Sequence, residues 1–272
     1  YSPSQLVQDA RRHGVEVLAV DVLCSDWEAT LEITENTQPA VRLGMNLVRG
    51  LPQEAAWRIE EARAVRPFSD LRDLALRASL SSVDIQALAA ADALKNLAGH
   101  RREALWHAST AAPGKGLLRG ALPEPEIIHL PPPSDLDQTV SDYRTLGLTL
   151  GRHPLSFLRK QLLDKRFMTA EVLRTYQQGQ FARACGIVTV RQRPATAKGT
   201  IFVTLEDETG NVNVIVWSSL IEQQRHELLN SSLLGVYGIW QTENNVNHLI
   251  AKRLLDLSSL LGTLAIESRD FT

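Results

Sequence analysis

GTIFVTLEDETGNVNVIVW, residues 199–217, is the stretch that decides the fold. Ile201, Val203 and Leu205 alternate with Phe202, Thr204 and Glu206. Val212, Val214 and Val216 likewise alternate with Asn213, Ile215 and Trp217. A period of two assigns each set to its own face of a strand. The DETGN between the two runs is a hairpin turn, with Gly210 supplying the bend. One face is apolar enough to fill a barrel, so Phe202, Asn213 and Trp217 are expected to point outward.

Strand-like runs flank this hairpin: ARACGIVTV before it, and LLGVYGIWQ and VNHLIAKRLLDL after it, the last two joined by TENN. SLIEQQRHELLN between them reads as a single amphipathic helix. Three strands, a helix and two more strands make the order of a five-stranded OB barrel, expected over 179–262 with a tail at 263–272. OB barrels lay single-stranded nucleic acid on the outer face of their second and third strands, where aromatic side chains stack on bases. Phe202, Asn213 and Trp217 are the candidates on that face, with Arg191, Arg193 and Lys198 placed to meet phosphates. The competing reading packs Phe202 and Trp217 on a neighbouring helix.

Upstream the pattern is helical. SQLVQDARRH begins at Ser4 and stops at Gly14, and VEVLAVDV alternates like a short strand. Residues 41–108 read as almost continuous short helices, a compact bundle. Residues 109–134 hold clustered Pro and Gly and read as a linker, and helical pattern resumes over 135–178. The class is therefore multidomain α+β, an all-α bundle followed by a β-barrel.

Within the bundle, VRGLPQEAAWRIEEAR (48–63) places Gly50, Leu51 and Pro52 before a helix. A glycine turn at a helix N-terminus presents backbone amides to an anion. Pro52 suits the first helical turn but has no N–H to offer. LKNLAGHRR (94–102) repeats the theme, with Gly99 followed by His100, Arg101 and Arg102. Two such hairpins in tandem beside an OB barrel point to duplex phosphates, with more of the grip on the second.

The totals set bounds. Of 272 residues 44% are hydrophobic, as in globular proteins, and the formal charge is −2, so nucleic-acid binding must come from local patches. Cys24 and Cys185 lack metal spacing and read as reduced thiols of a cytoplasmic protein. No apolar run is long enough to span a membrane. The chain begins with Tyr1, so a piece of a longer polypeptide is expected. Catalytic groupings are poor: Asp135-Leu136-Asp137 follows three prolines and reads as a helix cap, and the histidines have no ligand spacing. No catalytic or metal site is assigned.

YSPSQLVQDARRHGVEVLAVDV, RLGMNLVRGL, AAWRIEEAR, PFSDLRDL, ALAAADALKNLAGHRREALW and YRTLGLTLGRHPL, followed by the barrel segment, together resemble the C-terminal part of bacterial C-family DNA polymerases. Within that family the chain is similar to the error-prone, ImuC-type paralogue of the polymerase III α subunit. The resemblance implies the end of the polymerase fingers over 1–38, a tandem helix-hairpin-helix domain over 39–108, a linker over 109–134, a helical connector over 135–178, and the OB domain. It places the hairpins at Arg49, Gly50, Leu51 and Pro52, and at Asn96, Leu97, Ala98, Gly99 and His100. It implies translesion synthesis in the SOS response, with magnesium and catalytic carboxylates in a palm domain outside this chain and no cofactor within it. The implied partners are primer–template DNA, single-stranded template and a catalytically inactive Y-family-like mutasome protein, with the sliding clamp reached indirectly. A rival reading makes the region chiefly a protein-interaction module, and a third makes it the same region of the replicative paralogue.

Overall fold

The computed structural model describes residues 3–34, 38–111, 130–194, 199–243, 246–262 and 269–270. The expected linker lies largely outside the described residues, as does Lys198. The chain forms two compact units, Tyr1–Gly151 and Arg152–Thr272.

The first unit opens with α1 (Pro3–Arg12), which Gly14 ends at φ +79°, a left-handed value that suits glycine. Three short strands follow, β1 (Val17–Leu18), β2 (Thr30–Glu32) and β3 (Ala40–Arg42). They pair in the order β1-β3-β2, with β1 parallel to β3. The helical reading from residue 41 is corrected here: Val41 and Arg42 are strand residues between two partners, and helix begins only with the 3₁₀ turn Met45–Leu47.

Helices α2 (Gln53–Val65), α3 (Leu71–Arg77), α4 (Ser82–Ala90), α5 (Lys95–Ala98) and α6 (Arg101–Ala111) then build the bundle. Polar caps set their starts. Asp70 accepts from the Asp73 amide, and Ser81 forms a reciprocal capping box with Asp84. Met45, Ile59, Leu74, Ile85, Leu88 and Leu94 fill the core, and buried alanines at 55, 56, 75, 89, 104 and 108 let helix axes approach closely. The helix α7 (Asp135–Thr145) also belongs to this unit; its cap is Ser134, not Asp135 as the sequence suggested. The segment read as one connector, 135–178, is therefore divided, residues up to Gly151 with the bundle and those from Arg152 with the barrel.

The second unit starts with α8 (Pro154–Asp164) and α9 (Ala170–Leu173). Its strands are β4 (Phe181–Gln192), β5 (Ile201–Asp207), β6 (Gly210–Val216), β7 (Leu233–Glu243) and β8 (Val246–Asp256). They run β5-β6-β8-β7-β4, and β4 pairs again with β5, closing a five-stranded barrel. Only the β6–β8 pair is parallel among these five. Val203, Leu205, Val214, Val236, Trp240 and Leu249 fill the interior, as the alternation requires. The expected single helix over 219–230 is two, α10 (Ser218–Gln223) and α11 (Arg225–Asn230), because Gln224 leaves helical geometry at φ −127°, ψ 43°. Gln224 instead spends its amide on Leu254, donating to the carbonyl and accepting from the N–H. In the tail, β9 (Arg269–Asp270) runs parallel beside Val190 and Arg191 of β4.

Candidate nucleic-acid interface

On β5 and β6 the inward side chains are buried, whereas Phe202 and Ile215 are half-buried and Asn213 is exposed. Trp217, 51% exposed, continues the same outward face past the end of β6. Phe202 lies opposite Ile215, and Asn213 lies between Thr204 and His248. The outward placement of Phe202, Asn213 and Trp217 thus holds. His248 was missed by the sequence reading: it is the register partner of Asn213 on β8, and its buried Nδ1 has no hydrogen-bond partner among the described residues. Gln241, directly across from His248 on β7, adds a further amide to that row.

The hairpin that carries this face is braced from below. Asp207 Oδ1 accepts from the Thr209 and Gly210 amides at 2.7 and 2.9 Å, and its Oδ2 accepts from Ala170 N at the start of α9. Arg159 of α8 grips Glu208 through two bonds of 2.5 and 2.7 Å. Burial raises the Glu208 carboxyl, but the Arg159 hydrogen bond, a backbone bond and the charge of Arg159 together bring it below its ordinary value.

The cations expected beside this face behave differently. Arg193 is exposed. Arg191 is 2% exposed and points into the barrel end, where Nε donates to Leu228 O at 2.7 Å and Nη2 to Ser231 O at 2.5 Å. It serves as a cationic C-cap of α11. The cause is a β-bulge: Val188 pairs with Leu205 and Val190 with Thr204, so Thr189 is an extra residue. Val188 and Arg191, three apart, thereby share the inner side. Arg191 is not presented to solvent as the sequence reading had it.

In the first hairpin, Gly50 adopts φ +86° with open space where a Cβ would stand, and the turn leads through Pro52 into α2. Arg49 is exposed; its amide donates to Thr145 O at 2.9 Å and its guanidinium reaches Arg144 O at 3.4 Å, both at the end of α7. In the second hairpin, Gly99 sits at φ +79° and a Cβ there would collide with the Glu103 carboxylate. His100 caps α6, its Nδ1 accepting from Glu103 N at 3.4 Å while its Nε2 donates to Leu130 O at 2.8 Å. Glu103 Oε2 lies 3.6 Å from His100 Nε2, so an acidic group of the chain itself occupies this helix start. Arg101 is 4% exposed and bonds Asp142 at 2.5 Å and Gln138 O at 3.2 Å, stapling α6 to α7. Arg102 is more accessible, and pairs with Asp137 at 3.3 Å. The arginines of the second hairpin are thus paired with carboxylates of α7, Glu103 closes its own turn, and Arg101 is withdrawn from solvent.

Among the described residues no cluster of His, Cys, Asp or Glu is arranged to hold a metal, and no helix is long and apolar enough to cross a membrane. A family model described as a helix-hairpin-helix motif matches residues 14–104, and one described as an OB-fold nucleic acid binding domain matches 182–257. The chain is 58% identical, over its whole length, to the error-prone DNA polymerase of Bordetella parapertussis. It is 55% identical, again over its whole length, to that of Ralstonia nicotianae. The whole chain is thus similar to one part of proteins named error-prone DNA polymerase. It spans 26% of the length of these relatives. Among solved structures, asparaginyl-tRNA synthetase from Pyrococcus horikoshii matches 34% of this chain and 23% of its own, at 17% identity and a TM-score of 0.30.

Proposed function

We propose that this chain is the DNA-binding, C-terminal region of a translesion polymerase that acts in SOS-induced mutagenesis in the cytoplasm. The observation that carries the reading is the outer face of β5 and β6, where Phe202 and Trp217 offer stacking surfaces beside Asn213. Single-stranded template would lie there, with exposed Arg193 to meet its phosphates and Lys198 the further cation that the sequence offers. Nucleotidyl transfer, with its magnesium and palm carboxylates, would belong to the rest of the polypeptide, and this region alone would not polymerise. Duplex phosphates fall to the first hairpin, through the open Gly50 turn and exposed Arg49, with Arg102 assisting. Gly99 and His100 shape the second turn, and Arg101 holds it in place.

A second reading is favoured by the charges already paired at the second hairpin: Arg101 on Asp142 and Arg102 on Asp137, both of α7, and Glu103 at the turn. In it the bundle docks an inactive Y-family-like mutasome protein, through which the sliding clamp is reached. Titration of the chain with oligo-dT and with a primer–template duplex, followed by fluorescence anisotropy, separates the assignments. Phe202→Ala is expected to cost about 1–3 kcal/mol on oligo-dT. Arg49→Glu is expected to weaken duplex binding and flatten its salt dependence. Unchanged duplex binding in Arg49→Glu would hand the bundle to the docking reading.

A further inference from the structure

The strand registers place the outward side chains of the barrel in rows that run across the strands. Phe181 on β4 lies opposite Ile239 on β7, Ile239 opposite Ile250 on β8, Ile250 beside Ile215 on β6, and Ile215 opposite Phe202 on β5. This row is apolar over all five strands, with an aromatic ring at each end; Ile250 at its centre is buried, and Ile215 and Ile239 are half-buried. Phe181 is 51% exposed. On one side runs a polar row, Gln241, His248, Asn213 and Thr204, joined by the same pairings. On the other side Arg183, Tyr237 and Arg253 stand directly across from one another on β4, β7 and β8. Their guanidinium carbons lie 5.0 and 5.7 Å from the Tyr237 ring centre, within cation–π range. Among the described residues no carboxylate pairs with Arg183 or Arg253. The next row down, at Gly235, is roofed by Phe167 and Leu257, so the arginine row is the edge of the open surface.

We infer that the single-strand path does not end on β5 and β6. It continues across β8 and β7 to β4, with Arg253 and Arg183 holding phosphates and Phe181 stacking on a base at the far end. This rests on the proposed use of the β5–β6 face and extends it. The layering fits a polynucleotide in cross-section: cations for the backbone, apolar and aromatic groups for base faces, amides and imidazole for base edges. Four strand spacings of about 4.8 Å make the row roughly 19 Å long. That length suits a site toward the short end of the roughly 4–16 nucleotides an OB barrel takes. An acidic peptide would use the arginine row but not the polar row on the other side of the apolar strip.

The test is anisotropy of the full 272-residue chain with labelled oligo-dT of graded length, across a salt series. Arg183→Ala with Arg253→Ala is expected to make the slope of log K against log salt shallower by about 1.4, two phosphates' worth for single strands. Arg183→Lys with Arg253→Lys is expected to keep that slope. Phe181→Ala is expected to lose about 5-fold or more on long oligonucleotides, and little on the shortest that still binds. Thermal melts of each variant exclude unfolding as the cause. If Phe202→Ala weakens binding while the double-arginine and Phe181 variants leave slope and affinity unchanged, the extended path is overturned and the β5–β6 face stands. If the unaltered chain binds no oligo-dT, the face itself fails. If the arginine variants abolish binding of poly-glutamate but not of oligo-dT, the row belongs to a protein ligand and the inference is overturned.

Discussion

At the scale of single residues, burial separates arginines that look alike in sequence. Arg101 and Arg102 are neighbours, yet the first is locked between Asp142 and Gln138 O while the second stays at the surface. Removing one member of a buried pair leaves the other uncompensated. Arg101→Met is therefore expected to destabilise the bundle by about 3–5 kcal/mol in urea unfolding. Pairing it with Asp142→Leu should restore part of the loss; no recovery would mean that the ion pair is not what Arg101 contributes. The thiols give a second prediction. Burial pushes Cys185 up to about 12, so almost no thiolate exists near neutrality. Cys24 is exposed at the surface, although partial burial and the nearby Asp21 raise its thiol as well. Alkylation at pH 8 should modify Cys24 slowly in the native chain and reach Cys185 only in denaturant. Early labelling of Cys185 would contradict the cover that Phe167 and Leu257 give this outer row of β4 and β7.

At the scale of elements, two contacts set how the strand–turn and helix–turn pieces respond to charge. The β5–β6 turn is tied to α8 through Arg159 and Glu208. A carboxyl whose folded pKa is depressed binds its proton more readily in the unfolded chain. Its stabilisation is thus full above the ordinary carboxyl value of 4.5 and lost as pH falls through the lower folded value. Glu208→Gln should flatten the acid limb of the barrel's stability below about pH 4.5; an unchanged limb would place the acid sensitivity elsewhere. Glu103 governs the other piece. Glu103→Gln keeps a hydrogen-bonding side chain at the α6 start but removes its charge, so duplex affinity is expected to rise with stability falling by less than about 1 kcal/mol. Unchanged duplex binding in that variant would show that the turn never faces phosphate. These elements also mark what sequence can express. Alternation over 201–217 carries the barrel and the outward Phe202 and Trp217, because each strand face repeats every second residue. The bulge at Thr189 is invisible to that count and turns Arg191 inward. The break at Gln224 hides inside an amphipathic helix pattern, since the competing bonds to Leu254 come from 30 residues away. Val41 and Arg42 likewise become strand because β1 and β2 flank them.

At the scale of the whole molecule, the chain has two cores that share no residue, one built on Met45, Ile59 and Leu88 and the other on Val214, Val236 and Leu249. Each unit holds its own tryptophans, with Trp240 buried inside the barrel and Trp27 half-buried against the bundle core. A domain with its own core is able to fold alone. Residues 152–272 are thus expected to fold as a separate protein with a single cooperative unfolding transition. The net charge of −2 supplies no global field to pull DNA in, so affinity for oligo-dT must come from the barrel surface itself. The isolated barrel should then bind oligo-dT within about 3-fold of the full chain and with the same salt slope, because the phosphate contacts that set the slope travel with it. The isolated residues 1–151 should keep any duplex affinity and show no preference for single strands. A barrel that folds but binds oligo-dT ten-fold or more weaker than the full chain would mean that the bundle completes the single-strand site, and the outer rows of the barrel alone do not hold the template.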